Sequence, residues 1–470
     1  MKILVFGFGA SPIFFEAIVE KIKRENTNVE FSIIISRSNH LKAMKNLIGN
    51  DNVLCLNQEL PKLKNKNVEL SDLKNYPDCI HKNIESNKFN IKKKPSVIQR
   101  RISYLKYFLI KKFILKTQPN HILYLQPAED MEGMIIANLA KELNISLAVP
   151  HHTRHIGLSF FSSNIHEVLP AKRTINQQNI EDAKNFLKKF RSSYIPAFPK
   201  TEIDTKFRYI PVKKLAIIKR LIKAGRRFFI ETESREMADL KISLLNNFTI
   251  YRDLIRNMRR SYSRKYFNLE TTSKLPEKFI FYPMQYSPES SINIPAPYFV
   301  DQLRVIDAIR MSMPSDYQLV VKEHPEAIRT RPPHFMKSLL FKSGVVVAKF
   351  DLDTEELIKK SQLVISVTGS AAFEAFLYGK PSLVLAQTFF SDFLGGICSI
   401  DDLYTKIPNT ITKKITDEMI INSLSHVYSV SSEFLARSPG PHSLTMMTYE
   451  NVDLFWNAFM MHKKRQDEKS

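Results

Sequence analysis

Short apolar runs alternate with amphipathic stretches along most of the chain. The runs have the length of buried strands, and the stretches between them carry apolar residues at helical spacing. One series of runs lies at residues 2–8, 31–36, 121–126 and 145–149. A second series lies at residues 278–283, 318–322, 344–348, 362–367 and 382–386. Because strands that alternate with helices build parallel sheets, this pattern predicts two doubly wound α/β domains.

The stretch SQLVISVTGSAAFEAFLYGKPSLVLA, residues 361–386, contains one strand–turn–helix–strand unit in full. Its first apolar run ends in a turn of small residues at 368–371 (TGSA), and a helical pattern follows at 372–378. Small hydroxyl-bearing residues in front of a helix leave backbone N–H groups facing a cleft, and the helix dipole adds positive potential there. The sequence therefore predicts an anion-binding turn.

A basic region separates the two series of strands. The segment 212–227 within it has seven basic residues and no acidic residue. A further helical pattern closes the chain. The sequence thus predicts four parts: a first α/β domain at 1–178, a basic helical insert at 179–270, a second α/β domain at 271–440, and a C-terminal helix and tail at 441–470.

The 470 residues carry a formal net charge of +22, which favours an anionic partner. Helical segments at 90–117, 212–227 and 255–267 are strongly basic. Two interpretations stay open for them: ordinary solvated faces, or peripheral contact with the anionic inner leaflet of a membrane. The sequence has no helix-turn-helix, RRM, KH or zinc-finger signature, so we expect no nucleic-acid partner.

Two further features bear on the cellular location. No uncharged apolar run of about 18 residues is present, so no membrane-spanning segment is expected. The three cysteines are far apart and form no CxxC pattern, which fits a reducing cytoplasm. We predict a cytoplasmic protein. The basic segments also allow a peripheral position on the inner membrane.

Charged side chains follow two predicted strands of the first domain. Glu129 and Asp130 come after one strand, and His151 and Arg154 come after the next. Ligands of open α/β sheets bind outside the carboxyl ends of the strands. Glu129 or Asp130 is therefore a candidate general base, and His151 and Arg154 are candidate substrate ligands. The alternative for both carboxylates is N-capping of the helix that follows.

Two patterns that suggest metal ligands have simpler explanations. In HHTRH, His151 and His152 would point to opposite faces of an extended segment, which does not suit a shared metal. The DxD pattern at 351–353 ends in Asp353, which precedes a helical segment with Glu356 three residues on, as in a capping box. We therefore predict no metal site.

Three segments of the second half occur in a recognisable order: FYPMQYSPESSINIPAPYFVDQ, VVKEHP and VISVTGSAAFEAFLYGKPSLVLA. In this combination the chain resembles bacterial capsular-polysaccharide and surface-carbohydrate biosynthesis proteins. Those are glycosyltransferase-like proteins, similar to capsule Kdo transferases and bacterial sialyltransferases. The resemblance implies the GT-B architecture, in which two Rossmann-like domains are built on parallel sheets. It also implies an acceptor site in the first domain and a nucleotide-sugar site in the second.

The resemblance further implies roles for individual residues. His324 would hold the donor phosphate in the anion-binding turn, and Glu374 would reach the ribose or the sugar. The turn residues that would cradle the phosphate are Thr368, Gly369 and Ser370. The other residues assigned to donor binding are Lys322, Pro325 and Gln302. Glu289 is the alternative to Glu129 and Asp130 as general base.

The reaction implied is metal-independent transfer of a sugar from a CMP- or UDP-linked donor to a capsular or lipopolysaccharide-type polysaccharide. The partners would be the nucleotide sugar and a polysaccharide or lipid-linked glycan, without a bound cofactor. Two alternatives stay open: a nucleotide-sugar epimerase of the same architecture, and a non-catalytic binding component of polysaccharide assembly. In one place the chain departs from the expected pattern, since Met284-Gln285 stands where a histidine is expected.

Overall fold

The computed structural model contains two β-sheets covered by helices. It describes residues 1–7, 11–25, 28–36, 38–63, 97–128, 130–171, 174–193, 195, 267–269, 271–286, 290–293, 295–324, 327, 331, 333–349, 352–435 and 448–468. The strands of the first sheet are β1 (Lys2–Phe6), β2 (Glu30–Ile35), β3 (Val53–Cys55), β4 (His121–Tyr124), β5 (Ser146–His152) and β6 (Ser159–Ser162). Those of the second sheet are β7 (Phe279–Pro283), β8 (Gln318–Lys322), β9 (Val345–Ala348), β10 (Leu363–Ser366) and β11 (Ser382–Val384).

The α-helices of the described residues lie between and after these strands. In the first half they are α1 (Ser11–Arg24), α2 (Leu41–Ile48), α3 (Leu56–Glu59), α4 (Val97–Thr117), α5 (Met131–Glu142) and α6 (Gln177–Ser192). In the second half they are α7 (Ser290–Asn293), α8 (Gln302–Ser312), α9 (Pro333–Leu340), α10 (Thr354–Lys360), α11 (Ser370–Leu377), α12 (Leu403–Ile411), α13 (Asp417–Val430) and α14 (Tyr449–Asp467).

If the strands of each sheet are counted from its own first strand, both sheets have the order 3-2-1-4-5, and the first sheet has a sixth strand beyond these. The first runs β3-β2-β1-β4-β5-β6, and the second runs β11-β10-β7-β8-β9. All pairs are parallel except β5 with β6. In each sheet the order reverses beside the first strand, as in doubly wound nucleotide-binding folds. The predicted class, two Rossmann-like domains built on parallel sheets, is confirmed.

The apolar pattern missed two short strands, β3 and β6, and underestimated the length of β5. β3 has only three residues, and β6 pairs antiparallel with the far end of β5. This pairing continues the ladder through His151 and His152, so β5 runs on past the predicted end at residue 149. His151 therefore lies inside a strand rather than in a loop after it.

The C-terminal helix α14 covers one face of the first sheet. Its buried residues Phe455 and Phe459 belong to the same apolar cluster as Phe14 and Phe31 of the first domain. Phe455 contacts Phe14 edge-on, with ring centroids 5.0 Å apart. Burying a side chain of this size contributes about 1.5–3 kcal/mol. The last helix thus crosses back to complete the first domain.

The two domains share an apolar core where α6 packs against α11 and α13. Phe186 and Phe190 of α6 lie in one buried cluster with Phe373 and Phe376 of α11. α11 is apolar apart from Ser370 and Glu374 and is buried from Ala371 to Leu377, because the sheet covers one side and this cluster covers the other. The start of the predicted basic insert is therefore a helix packed on the second domain.

The basic segments are only partly described. Leu105, Leu109 and Phe113 of α4 are buried against the first sheet, so the apolar stripe of this helix packs on its own domain. The segments 212–227 and 255–266 lie outside the described residues. No described helix combines the length and apolar character needed to cross a bilayer.

Candidate functional site

The predicted anion-binding turn, Thr368–Ser370, lies at the carboxyl end of β10, where the second sheet reverses its strand order. Gly369 is the N-cap residue of α11, and its position has no side-chain capping bond. Ser366 Oγ donates a hydrogen bond to the Gly369 carbonyl oxygen at 3.0 Å, which fixes the turn. The first backbone N–H groups of α11 therefore have no side-chain acceptor at the N-cap, and an anion can take that place.

Gln285, just after β7, places its side chain against this turn. A Cβ atom built on Gly369 would lie 2.6 Å from Gln285 Nε2, so only glycine leaves room for the amide. Gln285 is 9% exposed. In the described part of the chain only its backbone N–H and carbonyl groups form hydrogen bonds. The side-chain amide of Gln285 thus has no hydrogen-bond partner among the described residues, so it is available to a ligand at the turn.

Gln302 holds the backbone of Gln285 in place. Its Oε1 accepts hydrogen bonds from the Gln285 N–H at 2.7 Å and from the Tyr282 hydroxyl at 2.8 Å. Its Nε2 donates to the Phe299 carbonyl oxygen at 2.7 Å. Burial raises the pKa of the Tyr282 hydroxyl, which stays protonated as the donor. The resemblance implied that Gln302 binds the nucleotide-sugar donor. In the structure its amide instead supports the loop after β7, which carries Gln285.

Arg331 and Glu323 form a buried ion pair behind the same loop. Arg331 Nε lies 2.8 Å from Glu323 Oε2, and Arg331 Nη2 donates to the Gln285 carbonyl oxygen. Glu323 Oε1 accepts from the backbone N–H of His324 at 2.8 Å. Burial raises the pKa of the Glu323 carboxyl, and the guanidinium of Arg331 acts in the opposite direction. This pair therefore fixes two site segments, the loop after β7 and the loop after β8.

His324 is the exposed part of the site. Its ring stacks on Tyr286 with centroids 5.7 Å apart and an interplanar angle of 14°. Lys322, at the end of β8, donates from Nζ to Thr354 Oγ1 at 2.5 Å and is mostly buried. Pro325 lies outside the described residues. His324 thus presents an imidazole at the carboxyl edge of the second sheet.

The first domain contacts the turn directly through Arg154. Its Nη1 donates to the Thr368 carbonyl oxygen at 3.0 Å, and its Nη2 lies 2.8 Å from Glu167 Oε2. The guanidinium also lies over the Phe390 ring, 5.0 Å from its centroid. Since Arg154 follows β5 and Thr368 follows β10, the carboxyl edges of the two sheets meet here. The candidate site therefore lies between the domains.

His155 and Glu374 form a second contact across the same interface. Glu374 Oε1 accepts a hydrogen bond from Ser370 Oγ at 2.8 Å and lies 3.3 Å from His155 Nε2. The histidine and carboxylate atoms are close but not aligned for a hydrogen bond. Glu374 was predicted to reach the ribose or the sugar. Its carboxylate instead faces Ser370 and His155.

Asp130 and His151 have partners within the first domain. Asp130 caps α5, since its Oδ1 accepts from the Gly133 N–H at 2.8 Å. This is the capping role that the sequence left open. His151 is buried against Phe160, and burial lowers its pKa, so the ring is neutral at pH 7. Glu129 and Glu289 lie outside the described residues.

The DxD pattern ends in a helix cap. Asp353 Oδ1 accepts from the Glu355 N–H at 2.9 Å at the start of α10, while Asp351 is outside the described residues. Among the described side chains no group of three or more His, Cys, Asp and Glu residues is arranged to hold a metal ion.

Sequence reasoning missed several residues that shape the site. Gln285 was noted only as a departure from the expected histidine, and Glu323 only as part of the KEHP segment. Arg331 and Glu167 have no local sequence signal, because their partners are distant in the chain or in another element. His155 belongs to HHTRH, where the pattern was weighed only as a metal site.

The family model described as "Capsule polysaccharide biosynthesis protein" matches residues 183–427, which include the whole second sheet and the turn. The chain belongs to this family. The resemblance that the sequence motifs indicated is thereby confirmed.

Protein FixF of Sinorhizobium fredii (strain NBRC 101917 / NGR234) is a curated relative of this family member. It is 26% identical over 138 residues, which are 28% of this chain and 31% of FixF. The chain therefore spans less than a third of the length of this relative.

Solved structures add two further similarities. The UDP-GlcNAc 2-epimerase from Methanocaldococcus jannaschii is 14% identical, with 91% of this chain and 97% of that chain covered and a TM-score of 0.26. The KpsC beta Kdo 2,7 transferase from Thermosulfurimonas dismutans is 14% identical, with 72% of this chain and 88% of that chain covered and a TM-score of 0.30.

Proposed function

We propose that this capsule-biosynthesis family member is a glycosyltransferase that moves a sugar from a nucleotide-sugar donor to a bacterial surface polysaccharide. The observation that carries the proposal is the anion-binding turn. The N-terminus of α11 has no side-chain cap, and the buried amide of Gln285 faces it. Both lie at the strand-order reversal of a parallel sheet, where doubly wound folds bind nucleotides.

The chemistry of the site suits the departure of a nucleoside phosphate. When the glycosidic bond breaks, negative charge develops on the phosphate, and donors already in place stabilise it most effectively. The backbone N–H groups of α11, the Gln285 amide and the imidazole of His324 would meet that charge. Together they supply positive potential through the protein itself, so the proposed transfer is metal-independent. The donor would be a CMP- or UDP-linked sugar.

The acceptor would approach from the first domain. Asp130 lies just after β4, at the strand-order reversal of the first sheet. Glu129, Asp130 and Glu289 stay the candidates for the base that deprotonates an acceptor hydroxyl. The acceptor would be a polysaccharide or a lipid-linked glycan. Contact of the basic segments with an anionic inner membrane is part of this proposal.

Replacing His324 by alanine should lower donor turnover without unfolding the protein. The ring is exposed and stacks on Tyr286, so it is not part of the buried core. A hydrogen bond to a charged group contributes about 1.5–3 kcal/mol, so kcat/KM should fall roughly 10- to 100-fold. The measurement is nucleotide release from the preferred donor, with circular dichroism as the check on folding.

His334→Ala is the matched control for this variant. His334 is also exposed and lies on α9. Its replacement should leave nucleotide release unchanged. Full activity in His324→Ala would remove this histidine from the site.

A further inference from the structure

Arg154 is held in an unusual conformation at the domain interface. Its φ is +57°, in the left-handed region that residues other than glycine rarely adopt. Such strain persists where the surroundings fix the residue, and it concentrates at functional positions. Here Glu167 binds the guanidinium through both carboxylate oxygens, at 3.1 and 2.8 Å, and the Phe389 and Phe390 rings flank it.

The remaining guanidinium contact is to the backbone of the turn. Arg154 Nη1 donates to the Thr368 carbonyl oxygen, in the peptide unit that leads into Gly369. In a trans peptide the carbonyl and the N–H of one unit point in opposite directions. Fixing the Thr368 carbonyl towards the first domain therefore fixes the Gly369 N–H away from it. A flip of this peptide would turn a carbonyl oxygen, with its partial negative charge, to the side that the N–H now occupies.

We propose that Arg154 is a positioning residue for the donor site and acts from the opposite domain. It holds the Thr368–Gly369 peptide in the orientation that leaves the N-terminus of α11 attractive to a phosphate. This inference rests on the proposed function, since the phosphate is that of the nucleotide sugar. It replaces the expectation that Arg154 binds substrate itself. Because the contact crosses the interface, donor binding and docking of the two domains would strengthen each other.

Arg191, on α6, provides a matched comparison because it contacts the other end of α11. Its Nε donates to the Leu377 carbonyl oxygen at 2.9 Å, at the far end of α11, and its guanidinium pairs with Asp417 at 2.8 Å. Arg154 and Arg191 thus make the same kind of contact, a carboxylate pair and one backbone carbonyl. They differ in which end of α11 they hold. If both arginines had a purely structural role, replacing either one would have the same effect on ligand affinity.

The test compares Arg154→Met and Arg191→Met in the full-length protein. Affinity for CMP, UDP and pyrophosphate is measured by calorimetry, and amide exchange is followed by mass spectrometry over residues 366–372. We expect Arg154→Met to lose nucleotide affinity roughly 10-fold or more and to exchange faster over this segment. Arg191→Met should change neither. If Arg154→Met does not fold, Arg154→Lys replaces it, because lysine lacks the planar fork that binds Glu167 and the carbonyl together.

The possible outcomes separate this inference from the proposed function. Unchanged affinity and exchange in Arg154→Met, with nucleotide binding in the unsubstituted protein, would overturn the positioning role alone. Equal loss of affinity in both arginine variants would also overturn it, since that is the result of general destabilisation. A failure of the unsubstituted protein to bind any of the three ligands would overturn the proposed function and this inference with it.

Discussion

Replacing Gly369 by aspartate is expected to abolish nucleotide binding while the protein stays folded. Gly369 has φ −71° and ψ 149°, which any L-residue can adopt, and aspartate is a preferred N-cap residue. Its carboxylate would accept the N–H groups that are now without a side-chain cap, adding roughly a few tenths of a kcal/mol to helix stability relative to glycine. The same carboxylate would occupy the anion position and repel a phosphate.

Gly369→Ala is the control that separates charge from size. Either side chain introduces a Cβ that lies 2.6 Å from Gln285 Nε2 and must displace that amide. Calorimetric titration with CMP and UDP should show a modest loss for alanine. The loss for aspartate should be about 100-fold or more, because it removes charge-assisted hydrogen bonds and adds repulsion. Equal affinity in the two variants would show that no anion binds at the end of α11.

Arg331→Met is expected to destabilise the protein by about 3–5 kcal/mol at neutral pH, because it leaves the buried carboxylate of Glu323 without its partner. The loops that carry Gln285 and His324 would lose their common support, since Arg331 and Glu323 bond to their backbones. Urea unfolding measures the loss of free energy. The companion variant Arg331→Met with Glu323→Gln should recover part of it, because the unpaired charge is gone.

The pH dependence of this loss has a definite sign. The ordinary pKa of a glutamate is 4.5, and burial raises that of Glu323 in the folded protein. Without Arg331 the pKa would rise further, so the folded variant binds a proton more readily than the unfolded chain does. The defect should therefore shrink as the pH falls through the raised pKa and grow as the pH rises. A defect that is small at neutral pH, or that deepens in acid, would contradict the buried ion pair.

Most strand positions along the chain and the place of the turn were predictable from sequence, because both depend on local patterns. The apolar run and small residues of 361–386 suffice to place β10, the turn and α11, and the structure moves their ends by only one or two residues. Asp353 as a helix cap was likewise readable from its neighbours. The family resemblance came from segments within this same second half.

The supports of the site were not predictable, because their partners are distant in the chain. Arg331 bonds to a carbonyl 46 residues away, and Arg154 bonds to one 214 residues away. The spacing of apolar residues along the chain carries no information on such distant pairs. Gln302 was assigned to donor binding because it falls in a shared motif, yet its amide bonds to Tyr282, Gln285 and Phe299 instead. A shared motif can thus mark a support as well as a ligand.

The most direct test of the proposed function is to follow both products of a nucleotide sugar. The purified protein is incubated with CMP- and UDP-linked sugars, with and without bacterial surface polysaccharide fragments, while nucleotide release and the fate of the sugar are measured together. A glycosyltransferase releases nucleotide faster when acceptor is present and attaches the sugar to it, and His324→Ala should slow both. Conversion of the sugar without acceptor would indicate an epimerase, and binding without turnover would indicate a non-catalytic component; either result would contradict the proposal.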